Sequence, residues 1–323
     1  MTRQVAVTDQ FFDDLDTERE ILDAVDAEVV SLDVSEPEEV VERVPEVDAL
    51  IVNKFPVTEP LLRELPNLSV VARYGSGYDN VDVDAATAHD VPVANVPGFC
   101  VDEAATHALT LALTCNRRVA QYDRAVRDGE WDWTANAARP RFQELTVGIV
   151  GFGGIGRRAA ELFRSVGADL AVYSRSTAQD ELDAFDAEKV SFEDLLARSD
   201  VISIHTALTE DTHHLFDAAA FEAMRDSAIL CNTSRGDIVD QTALREALDD
   251  DEIALAGLDV LAAEPPDPED PLLGHDDVVV TPHVAWYSET AIDDLQRGVA
   301  EAVASVFRGE RPENVVNPAV YED

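Results

Sequence analysis

The chain has 323 residues, with 66 acidic against 24 basic side chains and a formal net charge of −42, a balance that repels nucleic acid and anionic membranes alike. Its 46% hydrophobic content suffices for two domains with buried cores. No apolar run reaches the ~20 residues of a membrane span, and the N-terminus reads as a short strand, not as a signal peptide.

The acidic excess is spread along the whole chain, and lysine occurs only at Lys54 and Lys189. Self-repulsion of this size destabilises a compact state in dilute salt, whereas in molar salt the Debye length shrinks to ~3 Å and most of the repulsion disappears. The composition therefore reads as adaptation to a salt-rich cytoplasm. Cys100, Cys115 and Cys231 are odd in number and lack metal-ligand spacing, as expected of reduced structural thiols in a reducing compartment.

In chain order, Val5–Thr8 reads as a strand, and a polar helix follows around Thr17–Val25. Glu28–Leu32 is a strand, an acidic helix begins after Glu36, and Ala49–Val52 is the third strand. A short helix starts at Thr58, with Thr58 as the expected N-cap and Pro60 in the first turn. Val70–Arg73 and Pro92–Val96 complete a small parallel α/β unit of about a hundred residues. Val101–Asn116 is a long apolar helix, followed by polar sequence with Trp131 and Trp133. A second α/β series then predicts six strands, at 147–150, 170–173, 201–205, 228–232, 254–258 and 278–281. A long helix over Ser288–Arg308 closes the chain, and Pro265–Pro271 reads as a loop.

The second series opens on Leu145-Thr-Val-Gly-Ile-Val-Gly-Phe-Gly-Gly-Ile-Gly156, an apolar strand running into Gly151-x-Gly153-x-x-Gly156 and then a helix. In a dinucleotide site the first glycine allows the tight turn, the second lets the backbone approach the pyrophosphate, and the third lets helix and strand pack closely. The free N–H groups of the helix N-terminus, around Gly154 and Ile155, then face the anion. A glycine-rich turn alone is weak evidence; its position between strand and helix makes it specific.

Hydride transfer between a nicotinamide and a 2-oxo acid needs a cation for the carboxylate, a proton donor for the carbonyl oxygen and a group that tunes the donor. Such groups belong at the ends of parallel strands. Arg235, Glu264 and His283 each lie beyond a predicted strand. Arginine binds a carboxylate in a planar two-pronged fashion, and a histidine beside a carboxylate is suited to proton donation near neutral pH. Each alone has an ordinary structural explanation; in this order behind the glycine turn they are far more specific.

Six separated segments carry a resemblance over nearly the whole chain: Arg73-Tyr-Gly-Ser-Gly-Tyr-Asp-Asn-Val-Asp, Asn95-Val-Pro, Gly151-Phe-Gly-Gly-Ile-Gly, Asn232-Thr-Ser-Arg-Gly-Asp, Leu258-Asp-Val-Leu-Ala-Ala-Glu-Pro and Thr281-Pro-His-Val-Ala-Trp. In that order they resemble the D-isomer-specific 2-hydroxyacid dehydrogenases. The last segment, with Tyr287-Ser-Glu behind it, is most similar to the C-terminal-binding-protein branch.

The resemblance implies two Rossmann-like α/β domains with doubly wound parallel sheets and a cleft between them. Residues 1–98 with 288–323 would form the substrate domain, and residues 99–287 the dinucleotide-binding domain, with a dimerisation arm near 116–141 and a homodimer as the assembly. It implies reversible reduction of a 2-oxo acid to the D-2-hydroxy acid. His283 would be the acid/base, Glu264 its carboxylate partner and Arg235 the ligand of the substrate carboxylate. Arg73 and the loop Gly75-Ser76-Gly77 would contact the same carboxylate, and Trp286, together with Tyr74, would form an apolar wall. Cofactor contacts are implied for Ser76, Thr206, Ala207, Leu208, Thr212, Thr233, Ser234, Arg235, Asp259 and His283. Two other readings stay open: a nucleotide-sensing, co-repressor-like binding protein on the same fold, and a short phosphoglycerate dehydrogenase.

The sequence departs from the family at one informative place. After the second strand of the dinucleotide domain an acidic residue normally accepts hydrogen bonds from the adenosine ribose; here Ser174, Arg175 and Ser176 stand instead. A serine-arginine pair suits a 2′-phosphate, so NADP(H) is the expected cofactor, with NAD(H) as the alternative. Glutamate as the partner of His283, where formate dehydrogenases of the superfamily have glutamine, argues against formate oxidation. His89, His107, His205, His213, His214 and His275 are expected to be structural or solvated. His213-His214 in particular lacks partner ligands at useful sequence spacing and reads as a polar helix start, so no metal is expected.

Overall fold

Five short segments in the first hundred residues become parallel strands, and an inner one such as Ala49–Val52 is apolar and buried throughout because a strand covered on both faces has no polar side to turn to water. In the computed structural model, which describes residues 2–322, the elements alternate as β1 (Arg3–Val7), α1 (Asp16–Asp23), β2 (Ala27–Ser31), α2 (Pro37–Arg43), β3 (Ala49–Val52), α3 (Glu59–Glu64), β4 (Val70–Arg73), α4 (Val83–Ala88) and β5 (Val93–Ala94). The sheet order is β2-β1-β3-β4-β5. Thr58 occupies the N-cap of α3, but its side chain makes no capping bond. Pro60, at the second helical position, has removed one of the two N–H groups that such a cap would accept.

Cys100–Tyr287 forms a second compact unit, distinct from that of Met1–Phe99 with Ser288–Asp323. It begins with α5 (Val101–Arg117) and α6 (Val119–Arg127), which break at Arg118, a residue with φ 49°. There follow β6 (Thr146–Val150), α7 (Gly154–Ser165), β7 (Asp169–Tyr173), α8 (Gln179–Asp183), β8 (Ala187–Lys189), α9 (Phe192–Arg198) and β9 (Val201–Ile204). The unit closes with α10 (Ala218–Ala223), β10 (Ile229–Asn232), α11 (Gln241–Asp249), β11 (Leu255–Leu258) and β12 (Val278–Val280). The strands pair in parallel in the order β12-β11-β10-β9-β6-β7-β8. This doubly wound sheet reverses direction between β6 and β9, which is where such sheets hold a ligand.

Seven strands stand where six were expected. The additional one, β8, has the sequence Ala-Glu-Lys with only its alanine buried. A three-residue edge strand carrying charges offers no apolar run to read, and those charges discourage pairing with a foreign edge. The core lies on both faces of the sheet, as alternation along a strand requires. Val147 and Ile149 face a cluster with Leu111, Phe163 and Val172, while Val150 faces Ile202, Ile204, Phe216 and Leu230.

α6 falls within sequence expected to be merely polar. It has no buried residue, and beyond it Trp131 and Trp133 are 89% and 85% exposed. The last helix, α12 (Glu289–Phe307), buries Leu295, Val299, Val303 and Phe307 and packs on α1 and β4 of the first unit. Arg3 Nη1 donates to the Phe307 carbonyl at 2.6 Å, and the Val93 N–H donates to Asn317 Oδ1 at 2.8 Å, fastening the returning chain to the first sheet.

Tyr74 does not form an exposed apolar wall. It is 2% exposed, and its hydroxyl donates to Glu18 Oε1 at 2.6 Å. The second oxygen of Glu18 accepts from Gln296 Nε2 at 3.1 Å. The ring is drawn inward because a buried carboxylate on α1 needs donors, and those donors are Tyr74 at the end of β4 and Gln296 on α12.

Candidate active site

The glycine turn sits at the carboxyl end of β6, beside β9. Gly151 has φ 92°, and a Cβ there would lie 2.6 Å from the His205 carbonyl oxygen, so the turn admits no side chain. A Cβ on Gly156 would lie 2.3 Å from the Gly151 carbonyl oxygen, so the first turn of α7 can press onto the strand end only as glycine. Gly153 is the N-cap of α7 and supplies no capping side chain. The leading N–H groups of that helix, at Gly154, Ile155 and Gly156, are thus presented in the manner that binds a pyrophosphate. These residues fit a dinucleotide.

At the end of β7 the Ser174 side chain turns inward. It is 9% exposed, its Oγ lies 2.8 Å from Thr177 Oγ1, and it accepts the Thr177 N–H at 3.3 Å. Arg175 is exposed, and its Nη1 donates to Asp211 Oδ2 at 2.6 Å; Ser176 is exposed beside it. Reading the sequence locally missed Asp211, since 36 residues separate it from Arg175. In the loop after β9, Thr212 Oγ1 donates to the Ala207 carbonyl at 2.7 Å and accepts the Thr209 N–H at 2.7 Å, so Thr212 shapes the loop that carries Thr206, Ala207 and Leu208. Ser234 Oγ donates to the Ile204 carbonyl at 2.8 Å, tying the loop after β10 to β9. Thr233 Oγ1 is buried without a protein hydrogen-bond partner, which suits a residue beside a polar ligand.

His283 and Glu264 meet. Nδ1 of His283 lies 2.6 Å from Glu264 Oε2, and Glu264 Oε1 accepts the Leu261 N–H at 3.3 Å. His283 has φ 55°, a region that residues other than glycine rarely adopt. The conformation is held by its N–H, which donates to the Asp259 carbonyl at 2.8 Å, and by its carbonyl, which accepts Trp286 Nε1 at 3.0 Å. Arg235 follows β10; its carbonyl accepts Asn232 Nδ2 at 2.8 Å, and its Nη1 donates to the Ser234 carbonyl at 2.8 Å.

Asp259, expected as a cofactor contact, is 2% exposed and has both oxygens occupied by protein donors. Oδ1 accepts Thr281 Oγ1 at 2.6 Å and the Val284 N–H at 2.9 Å; Oδ2 accepts the Ala285 N–H at 2.8 Å. His107, on α5, reaches Thr281 Oγ1 with Nε2 at 2.9 Å. The carboxylate thus frames the segment that carries His283. Sequence spacing could not bring His107 to Thr281, 174 positions away.

In the first unit, Arg73 ends β4 and the loop Gly75-Ser76-Gly77 follows it, with Gly75 at φ 139°. The Ser76 carbonyl accepts Asn95 Nδ2 at 2.6 Å, and the Gly75 carbonyl accepts the Val96 N–H at 3.0 Å.

His213 and His214 lie in a turn, not at a helix start. They do have a partner: Asp237, beyond Arg235, brings a carboxylate oxygen into the group, and the three potential ligand atoms lie within 4.8 Å of one another. His205 is set beneath the glycine turn, with Nε2 2.8 Å from Ser203 Oγ, and burial pushes it down to about 4.

Against known proteins, residues 109–285 match the family described as "D-isomer specific 2-hydroxyacid dehydrogenase, NAD binding domain". A glyoxylate reductase of Korarchaeum cryptofilum is 38% identical over 287 residues, covering 88% of this chain and 86% of that protein. A D-3-phosphoglycerate dehydrogenase of Archaeoglobus fulgidus is 34% identical over 286 residues, covering 87% of this chain but 53% of its own length, so the chain spans about half of that relative. Among solved structures, a D-lactate dehydrogenase from Aquifex aeolicus complexed with NAD and lactic acid superposes with a TM-score of 0.87 at 25% identity, over 97% of this chain and 99% of the other.

Proposed function

The chain belongs to the D-isomer-specific 2-hydroxyacid dehydrogenases, and from that premise we propose that His283, Glu264 and Arg235 carry its reaction. The protein is a nicotinamide-dependent oxidoreductase that interconverts 2-oxo acids and D-2-hydroxy acids. When bound, the nicotinamide supplies or accepts the hydride. The protein's own part is to hold the substrate carboxylate, to exchange a proton with the substrate oxygen and to orient both. Arg235 binds the carboxylate as a planar cation. His283 exchanges its Nε2 proton with the substrate oxygen. Glu264, 2.6 Å from Nδ1, fixes the ring by accepting from Nδ1–H and stabilises the imidazolium, which leaves Nε2 as the nitrogen that takes up or gives the exchanged proton. That contact, inside the unit that carries the dinucleotide turn, is the observation on which the reading rests. In the first unit, the loop Gly75–Gly77 with Arg73 is proposed as an anion-binding element, and Trp286 as a wall for the substrate's side chain.

For the substrate we propose a small unphosphorylated 2-oxo acid of the glyoxylate class, on the strength of the glyoxylate reductase relatives. Tyr74, committed to Glu18, supplies no second aromatic wall for a larger side chain. We propose NADP(H) over NAD(H), because a carboxylate is absent at Ser174 and the Arg175 guanidinium is exposed. A homodimer is proposed through α6 and the exposed Trp131 and Trp133, where a second copy would cover apolar surface. A salt-rich cytoplasm is proposed from the charge of −42 and from three buried free thiols; among the described residues no helix is long and apolar enough to cross a membrane.

The test is oxidation of NADPH and of NADH in molar KCl with glyoxylate, hydroxypyruvate, pyruvate, 2-oxoisocaproate and 3-phosphohydroxypyruvate. Glyoxylate or hydroxypyruvate should lead in kcat/KM by about ten-fold, the discrimination that one or two pocket contacts can supply. A lead for the phosphorylated acid overturns the substrate class, and no oxidation with any acid overturns the assignment of roles.

A further inference from the structure

Outside the proposed catalytic residues, His213, His214 and Asp237 form the group among the described residues whose side chains could hold a metal ion. The two imidazoles stack with ring centroids 4.0 Å apart and planes 24° from parallel. His214 has φ 50°, a conformation rare for a residue with a Cβ, and it sets two consecutive side chains side by side. Asp237 is brought there by main-chain bonds. The His214 N–H donates to the Asp237 carbonyl at 2.8 Å, the Phe216 N–H to the Ile238 carbonyl at 3.1 Å, and the Asp240 N–H to the Phe216 carbonyl at 3.0 Å. Phe216 and Ile238 are fully buried, so this short ladder is anchored in the core. Behind it, Asp240 Oδ2 stands 3.9 Å from His214 Nδ1, while Asp240 Oδ1 caps α11, a position suited to an outer carboxylate that orients a ligating imidazole.

We propose that His213, His214 and Asp237 form a binding site for one divalent transition ion of the zinc or nickel class. Two imidazoles and one carboxylate are a borderline donor set, which favours these ions over magnesium and calcium with their preference for oxygen. Three protein ligands leave water in the remaining positions. Ligand bonds of about 2.0–2.2 Å require the three side chains to close inward from their present separations by rotation, while the backbone ladder stays in place. Asp237 lies two residues beyond Arg235, and His213 follows Thr212 directly. A bound ion therefore fastens the loop after β9 to the segment that carries Arg235. The site rests on no part of the proposed reaction.

The experiment is calorimetric titration of the chelator-stripped full-length protein with ZnCl2 at pH 7.5 in molar KCl. Excess MgCl2 is included to occupy non-specific carboxylates. One saturable site per chain is expected. Both His213→Ala and Asp237→Asn should weaken it by about ten-fold or more, whereas His89→Ala, at an exposed histidine elsewhere, should leave it unchanged. Lowering the pH to 5.5 should weaken it as protons compete for the imidazoles, and zinc should raise the Tm of the native chain but not that of His213→Ala. No saturable heat overturns the proposal, and so does uptake of several ions per chain that is indifferent to His213→Ala.

Discussion

Nδ1 of His283 stands 2.6 Å from Oε2 of Glu264, and the histidine reaches that position from a backbone φ of 55°. A substitution that removes the imidazole must therefore respect the left-handed backbone as well. Asparagine tolerates that conformation better than alanine does, so His283→Asn separates loss of the imidazole from loss of the loop. Turnover should fall by about 10²–10⁴, the usual worth of a positioned acid/base. Fluorescence titration should find reduced-cofactor binding nearly unchanged. Near-native turnover in this variant would remove His283 from its proposed role. Glu264→Gln should cost less, because the amide oxygen can still accept from Nδ1 and only the charge is lost.

Asp259 holds the same segment from below, with Thr281, Val284 and Ala285 all donating to its carboxylate. An amide in its place keeps one acceptor and turns an NH2 group toward an N–H or hydroxyl donor. An unsatisfied buried donor costs about 1–3 kcal/mol, so Asp259→Asn should lower the midpoint of urea unfolding and also lower kcat, as His283 loses its fixed position. A variant as stable as the native chain with the same kcat would show that this network does not position His283.

Arg175 and Asp211 pair at 2.6 Å with side chains 58% and 73% exposed. Such a pair is worth about 0–1 kcal/mol and less still in molar salt, so it competes weakly with a 2′-phosphate for the guanidinium. Arg175→Ala should raise KM for NADPH by about five-fold or more and leave KM for NADH unchanged, since roughly 1.4 kcal/mol of a charge-assisted contact is a factor of ten. Asp211→Asn should improve NADPH use by less than about five-fold, the ceiling set by an exposed pair. Equal use of both cofactors before and after Arg175→Ala would remove the NADP(H) preference.

The strands were readable where burial on both faces demands unbroken apolar runs, as at Ala49–Val52, which is buried throughout. β8 was not, because a charged edge strand leaves no hydrophobic period. The site divides in the same way. As candidates, Arg235, Glu264 and His283 could be picked out because each lies beyond a strand, toward the carboxyl edge where such sheets gather chemistry. What stayed hidden was pairing over long separations. Tyr74 read as an apolar wall until Glu18, 56 positions away, claimed its hydroxyl, and Arg175 read as an unencumbered cation until Asp211 appeared beside it. Asp237 could not be matched to His213 and His214 before the ladder at Phe216 brought it there.

The charge of −42 predicts a steep dependence of stability on salt. With 66 carboxylates and 24 basic groups, most of the acidic side chains have no cation to pair with, and their repulsion extends over a Debye length of ~10 Å at 0.1 M but ~3 Å at 1 M. The Tm should rise between 0.1 M and 2 M KCl, and sodium chloride should act in the same way because the effect is screening. A Tm indifferent to either salt over that range would exclude salt adaptation as the reason for the composition.

Two buried groups give opposite dependences on pH. Burial raises Glu18 above its ordinary 4.5, although the Tyr74 and Gln296 hydrogen bonds work in the other direction. The unfolded chain then releases this proton before the folded one does, so the contribution of Glu18 to stability falls as pH rises from 4.5 through its own higher value. Burial lowers His205 from 6.5 to about 4; here the unfolded chain takes up the proton first, and stability is lost as pH falls from 6.5 toward 4. Glu18→Gln should therefore gain on the native protein in unfolding free energy as pH rises above 4.5, and His205→Asn should gain on it as pH falls below 6.5. Urea melts of the three proteins from pH 4 to 8 in molar KCl measure both differences. A native-minus-variant difference that stays constant across the window would remove that residue from the pH dependence, and a difference of the opposite sign would mean that the folded protein holds the charged form of the group, with hydrogen bonding outweighing burial.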